Sequence, residues 1–205
     1  MFERFSRSWG LIKASAGVLS KDKELLVFPL LSAVCTLIVV AAFLLPAFGL
    51  GALDGLREGG SVSPTAYVFA FLFYLVQYFV IFFFNSALVG AAMIRLDGGD
   101  PTLSDGLRIA SSKALPILGY AAIAATVGMI LRAIQERAGF LGRLVAGFLG
   151  VAWTLASFLV VPVLVSRNVG PIDAVKESAV LLKKTWGENL IGQGGVGLVF
   201  GLVFF

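Results

Sequence analysis

Gln77, Asn85 and Ser86 interrupt a long apolar run, the latter two directly after Phe82-Phe83-Phe84. An amide or hydroxyl surrounded by hydrocarbon costs free energy until a hydrogen-bond partner meets it. Such groups commonly bond across neighbouring helices and act as interhelical glue. The functional alternative is a polar lining for a solute or ion path. Gln77 and Asn85 are about two helical turns apart, and the spacing is read as putting them on similar faces. The three residues form the candidate intramembrane polar site.

Little else in the chain suggests a reaction. Histidine is absent, which removes the commonest general base and metal ligand. The acidic residues fall in short connections rather than as a pair on one site. Gly98-Gly99 reads as a turn, and Gly192, Gly194, Gly195 and Gly197 lead to no Lys-Ser or Lys-Thr pair of a phosphate loop. The sequence therefore predicts no enzyme, no cofactor and no metal. Cys35 is the single cysteine, so no disulfide closes within the chain.

The elements that carry these residues follow from composition. Of 205 residues 59% are hydrophobic and 14% charged, and the mean hydropathy is +0.96. Soluble domains carry about 25% charged residues, so this chain cannot cover a water-facing surface. A membrane helix needs about 20 apolar residues. Runs of that kind occupy approximately residues 25–48, 67–94, 115–131, 144–165 and 190–205. The predicted fold is all-α: a membrane helical bundle with five spans present. The last run is short and ends on Val203-Phe204-Phe205, which leads us to expect a sixth span in the native chain. The first run is too long for a cleaved signal peptide.

Basic residues set an expected orientation. Arg4, Arg7, Lys13, Lys21 and Lys23 precede the first span; Arg95, Arg108 and Lys113 follow the second; Arg167, Lys176, Lys183 and Lys184 follow the fourth. Only Arg57, Arg132, Arg137 and Arg143 lie on the other side. The asymmetry predicts a cytoplasmic N-terminus. The net charge of +4 lies beside apolar segments, a pattern that fits anionic lipid and not nucleic acid. Arg132, Gln135, Glu136, Arg137 and Arg143 read as a solvated outer turn or, more sharply, as an anion-attracting vestibule.

Three amphipathic segments accompany the spans. In residues 1–24, Phe2, Phe5, Trp9, Ile12, Ala16 and Leu19 share one helical face. A second helix is expected over 102–114, with the stripe Leu103, Leu107, Ala110 and Ala114 and a cap at Asp100 or Thr102. A third is expected over 171–186, with the stripe Val175, Ala179, Leu182 and Trp186. Helices of this kind lie in the cytoplasmic headgroup layer or on the protein's own spans. Arg4, Arg7, Trp9, Lys13, Lys183, Lys184 and Trp186 are the candidate lipid-interface residues. The punctuation suggests a threefold repeat of one amphipathic helix and one hairpin. Gly142, Ala146 and Gly150, with Gly197 and Gly201, recur every four residues, a spacing that lets helix backbones approach.

The N-terminal stretch carries a family resemblance. Ser8-Trp9-Gly10-Leu11-Ile12-Lys13, Val18-Leu19-Ser20-Lys21-Asp22-Lys23-Glu24-Leu25 and Phe28-Pro29-Leu30-Leu31-Ser32 resemble an uncharacterised prokaryotic family of multi-pass membrane proteins, described as a domain of unknown function. The resemblance is strongest over residues 8–32. It implies a prokaryotic cytoplasmic (inner) membrane and a longer chain, and it brings no site residues with it. The expected function is a non-enzymatic membrane protein, an oligomeric passive path or transporter component for a small solute or ion. The alternative is a membrane-embedded adaptor or accessory subunit of a larger complex. A membrane enzyme is the third and weakest reading. Expected partners are membrane lipids and either further copies of the chain or other membrane proteins.

Overall fold

The computed structural model describes residues 23–49, 64–137 and 139–189. A 3-10 turn, Lys23–Leu26, leads into α1 (Val27–Gly49), followed by α2 (Pro64–Leu96), α3 (Leu103–Ser112), α4 (Ala114–Arg137), α5 (Phe140–Ser157), α6 (Val160–Ser166) and α7 (Pro171–Asn189). No strand occurs among the described residues. Four stretches are long and apolar enough to cross a membrane: Glu24–Leu45, Thr65–Leu96, Ala114–Glu136 and Phe140–Ser166. They match the first four expected spans, the second, third and fourth being longer than their apolar runs. The fifth expected span, 190–205, and the amphipathic segment over 1–22 lie outside the described residues. So do Arg4, Arg7, Trp9, Lys13, Gly197, Gly201 and the side chain of Trp186.

Local chemistry explains where the helices begin and end. α2 has Arg95 in its last turn, where a cation meets unpaired carbonyls. Gly98 then takes φ +85, its N–H donating to the Arg95 carbonyl at 3.0 Å while Gly99 N–H donates to the Ile94 carbonyl at 2.9 Å. This pair of bonds is a Schellman stop, which favours glycine at that position. α3 starts with a capping box. Thr102 Oγ1 accepts from Asp105 N–H at 3.2 Å, and the Asp105 carboxylate accepts from Thr102 N–H at 3.1 Å. Of the two expected caps, Thr102 serves, while Asp100 pairs with Arg95 at 2.6 Å.

The fourth expected span is not one continuous helix. Pro162 has no N–H to offer the Phe158 carbonyl, and its ring crowds that oxygen. α5 accordingly stops at Ser157 and α6 restarts at Val160. The displaced Leu159 N–H donates to Ser178 Oγ of α7 at 2.9 Å. Ser178 is fully buried, as is Ala174 one turn earlier. The buried stripe of α7 is therefore rotated one residue from the expected Val175, Ala179 and Leu182.

Two clusters hold the bundle together. Leu25, Phe28, Ala87, Ala91 and Ala110 join α1, α2 and α3. Tyr120, Val160, Val163, Leu164 and Ala174 join α4, α6 and α7. In each, an amphipathic helix sits in the angle between two spans. Gly106 makes the first approach possible: a Cβ there would stand 2.7 Å from the Ala87 carbonyl oxygen and closer still to the Phe28 ring. In the second, a Cβ on Gly119 would stand 2.9 Å from Pro171 Cγ. Elsewhere large apolar side chains are exposed, among them Leu30, Leu37 and Leu45 on α1 and Leu141, Val145, Phe148 and Val151 on α5. Broad faces of this kind suit hydrocarbon and not water.

Candidate functional site: a charge-free groove at Asn85

α2 turns its three polar residues to three directions. At 3.6 residues per turn, Asn85 stands about 80° from Gln77, and Ser86 about 180° from it. Gln77 shares the face of Phe73, whose ring packs on Phe43 of α1 at 5.5 Å; its Oε1 is buried with no hydrogen-bond partner among the described residues. Ser86 is fully buried one turn before Gly90, on which Ile109 of α3 rests. Its Oγ likewise has no partner among the described residues. Asn85 is exposed. The structure thus does not gather the three into one site.

What Asn85 faces is a groove of about 570 Å³ between α2, α4 and the α5–α6 break. Tyr78, Phe82, Leu88 and Val89 line it from α2, and Tyr120 and Ala124 from α4. Trp153, Thr154, Ser157, Phe158, Val161 and Pro162 close the other wall. Among the described residues no charged side chain lines it. One wall carries stacked rings, Tyr78 on Phe82 at 5.7 Å and Phe82 on Tyr120 at 4.5 Å, and the series continues beyond the groove with Tyr74 on Tyr78 at 6.2 Å. Apolar and aromatic walls with a few polar groups, at this volume, are the usual make-up of a small-molecule site.

The polar groups in the groove have a defined hydrogen-bonding character. Thr154 Oγ1 donates to the Gly150 carbonyl at 2.9 Å, and Ser157 Oγ donates to the Thr154 carbonyl at 3.2 Å. Their protons are committed to their own helix, so their oxygens remain as acceptors. Ser157 also lies within hydrogen-bonding reach of the Tyr120 hydroxyl. Asn85 hydrogen-bonds to no described residue, leaving two donors and an acceptor available. Thr154, Ser157 and Tyr120 are absent from the sequence-derived candidates. The readable signal was the i, i+3 spacing of Thr154 and Ser157 on one helical face, followed by a proline.

Charged residues stand at the two ends of the spans. At one end Arg132 donates to the Tyr74 hydroxyl at 3.0 Å and to Glu136 at 2.7 Å, tying the ring series to α4. At the other, Lys113 Nζ donates to the Arg167 carbonyl at 3.1 Å, joining the end of α3 to the end of α6. Arg167 pairs with Glu177, and Arg108 with Asp105 at 2.8 Å. Asp105 is held below the usual carboxylate range, first by the hydrogen bond from the Thr102 hydroxyl and then by the Thr102 N–H. Lys183 and Lys184 are exposed on α7. Of the expected packing stripe, Ala146 is fully buried, Gly142 is half-buried and Gly150 meets Leu131 at ordinary contact, 4.0 Å from an added Cβ. Among the described residues no three His, Cys, Asp or Glu side chains converge as a metal site.

A family of unknown function, DUF6159, matches residues 64–205. The chain belongs to the DUF6159 family. The DUF6159 match takes in α2 through α7 and hence every wall of the groove, while residues 8–32, which carry the most specific resemblance in the sequence, precede it. No curated protein and no solved structure matches the chain.

Proposed function

We propose that this DUF6159 chain is a non-enzymatic membrane protein that provides a passive path for a small uncharged solute, with the Asn85 groove as its working site. The observation that carries the reading is the Asn85 amide, exposed in an aromatic groove and unpaired among the described residues. Asn85 lies 11 residues before the end of α2, roughly 16 Å along the helix, well inside the candidate span Thr65–Leu96. An unpaired amide there is costly unless a ligand or water meets it. Coupled ion transport commonly uses charged residues within spans; among the described residues the groove is lined by none, which favours a passive path and a neutral solute.

The surrounding architecture fits the same reading. α3 and α7 dock alike, each in the angle of a preceding pair of spans, which supports a repeat of amphipathic helix and hairpin. Transporters are often built from such repeats. The distribution of Lys and Arg supports an orientation with the N-terminus inside, and α3 and α7 then lie on the cytoplasmic side; the prokaryotic cytoplasmic membrane is what the resemblance over residues 8–32 implies. The groove is open along one side, so a second wall is required: bilayer lipid, or a second copy in an oligomer.

The test is glycerol permeation in proteoliposomes, followed by light scattering. The path reading expects permeability above that of protein-free vesicles, and a several-fold fall for Asn85→Leu with unchanged or raised thermal stability. Wild-type permeability equal to empty vesicles rejects it. Lowered stability with unchanged permeability makes Asn85 a helix-packing residue, and then the adaptor reading takes its place.

A further inference from the structure

We infer that the open side of the groove binds one uncharged glycerolipid with a free hydroxyl, of the diacylglycerol type. The inference rests on the groove being the working site but not on any solute crossing the membrane. Three observations define the ligand. Among the described residues the lining carries no charge, and Asn85 lies inside the candidate span Thr65–Leu96, where a phosphate or ammonium headgroup is too costly to bring. That excludes the ordinary phospholipids. The Thr154 hydroxyl has given its proton to the Gly150 carbonyl, so it accepts only and suits a ligand O–H, while Ser157 lies within reach of the Tyr120 hydroxyl. The Asn85 amide, by contrast, has two free N–H groups, which suit an ester carbonyl close to that hydroxyl.

A hydroxyl next to an ester, with two apolar tails and no charge, satisfies all three. The glycerol hydroxyl donates to Thr154, and Asn85 donates to the ester carbonyl. The acyl chains lie along the ring wall of Tyr78, Phe82 and Tyr120 and leave by the open side into the leaflet. Because the ligand comes from the bilayer, no aqueous entrance is required.

The experiment uses the full chain in phosphatidylcholine vesicles with a diacylglycerol bearing a photoactivatable group on one acyl chain. Adducts are expected in residues 153–162 and 78–89. Asn85→Leu and the near-isosteric Thr154→Val should each reduce labelling about fivefold, the effect of losing one ordinary hydrogen bond. Unlabelled diacylglycerol should compete, and phosphatidylglycerol should not. A melting curve for each variant checks that it is folded, and the two substitutions act from different helices, so misfolding of one leaves the other decisive. Three results overturn the inference. The first is adducts spread evenly over the exposed face of α5, at Leu144 and Phe148. The second is equal competition by phosphatidylglycerol. The third is absent labelling with Thr154→Cys, in a Cys35→Ala background, crosslinking to a second copy or to another segment of the chain. Labelling without glycerol permeation rejects the path and keeps the lipid site; permeation without labelling does the reverse.

Discussion

Gly106 and Gly150 show how much a single atom weighs in this bundle. A Cβ at Gly106 meets a backbone carbonyl at 2.7 Å, and backbone cannot rotate away. At Gly150 the nearest atom is a leucine methyl at 4.0 Å. Gly106→Ala is therefore expected to cost about 1–3 kcal/mol, the range of overpacked cores, and Gly150→Ala to be nearly neutral. Melting temperatures in detergent check the pair; equal shifts would mean that α3 does not sit on α2 as described. Gly106 was not among the small residues that the sequence spacing marked for packing. Gly142, Ala146 and Gly150 advertise themselves by a repeat of four, whereas Gly106 stands alone in an amphipathic helix. Its need for a missing Cβ comes from Phe28, far away in sequence. Asn85 was legible as an anomaly because an amide in an apolar run is conspicuous. Its partners in the groove were not, since Thr154 and Ser157 are ordinary residues on a different helix. Asp105 yields a pH prediction at the same scale. Its folded pKa is depressed by the Thr102 bonds, so its contribution to α3 is complete above the usual carboxylate range. It is lost as pH falls from there through the depressed value. Protection factors of the α3 amides, which correct for the intrinsic pH dependence of exchange, should fall on acidification, and Asp105→Asn should remove that fall.

Helix ends decide more here than helix interiors. The four candidate spans were readable because a bilayer imposes a length and a composition that few other structures need. The interruption between α5 and α6 was not, because Pro162 lies in a run that is apolar throughout. Nor was the true stripe of α7, because Ser178 is polar and counts against burial until Leu159 supplies a reason for it. Ser178→Ala would leave the half-buried Leu159 N–H without its partner, a cost of about 1 kcal/mol. Pro162→Ala restores an N–H to the α6 side and allows Leu159 to return to the helical ladder. The two substitutions should therefore couple: Ser178→Ala should cost clearly less in the Pro162→Ala background. Additive losses in a double-mutant cycle would mean that the break persists without the proline, and that something other than ring geometry imposes it.

The bundle as a whole has a sidedness that its charges describe. Arg95, Arg108, Lys113 and Arg167 gather where α2, α3 and α6 end, linked through the Lys113 contact to the Arg167 carbonyl. Most of them are paired with acids or carbonyls, and exposed pairs of this kind add little stability. Their position relative to the membrane is the more consequential property, because Lys and Arg near span ends are retained on the cytoplasmic side during insertion. The opposite end has Arg132 and Arg143, of which Arg132 is held by Glu136 and Tyr74. If the charge asymmetry governs insertion, Asp97 faces the cytoplasm and Gly139 the exterior. With Cys35→Ala as background, Asp97→Cys should resist a membrane-impermeant thiol reagent in intact cells and react after permeabilisation. Gly139→Cys should react in both. Both positions are exposed, so burial does not mimic protection. The reverse pattern would invert the molecule and put α3 and α7 outside, and labelling of both in intact cells would mean that the second and third spans do not cross as a hairpin.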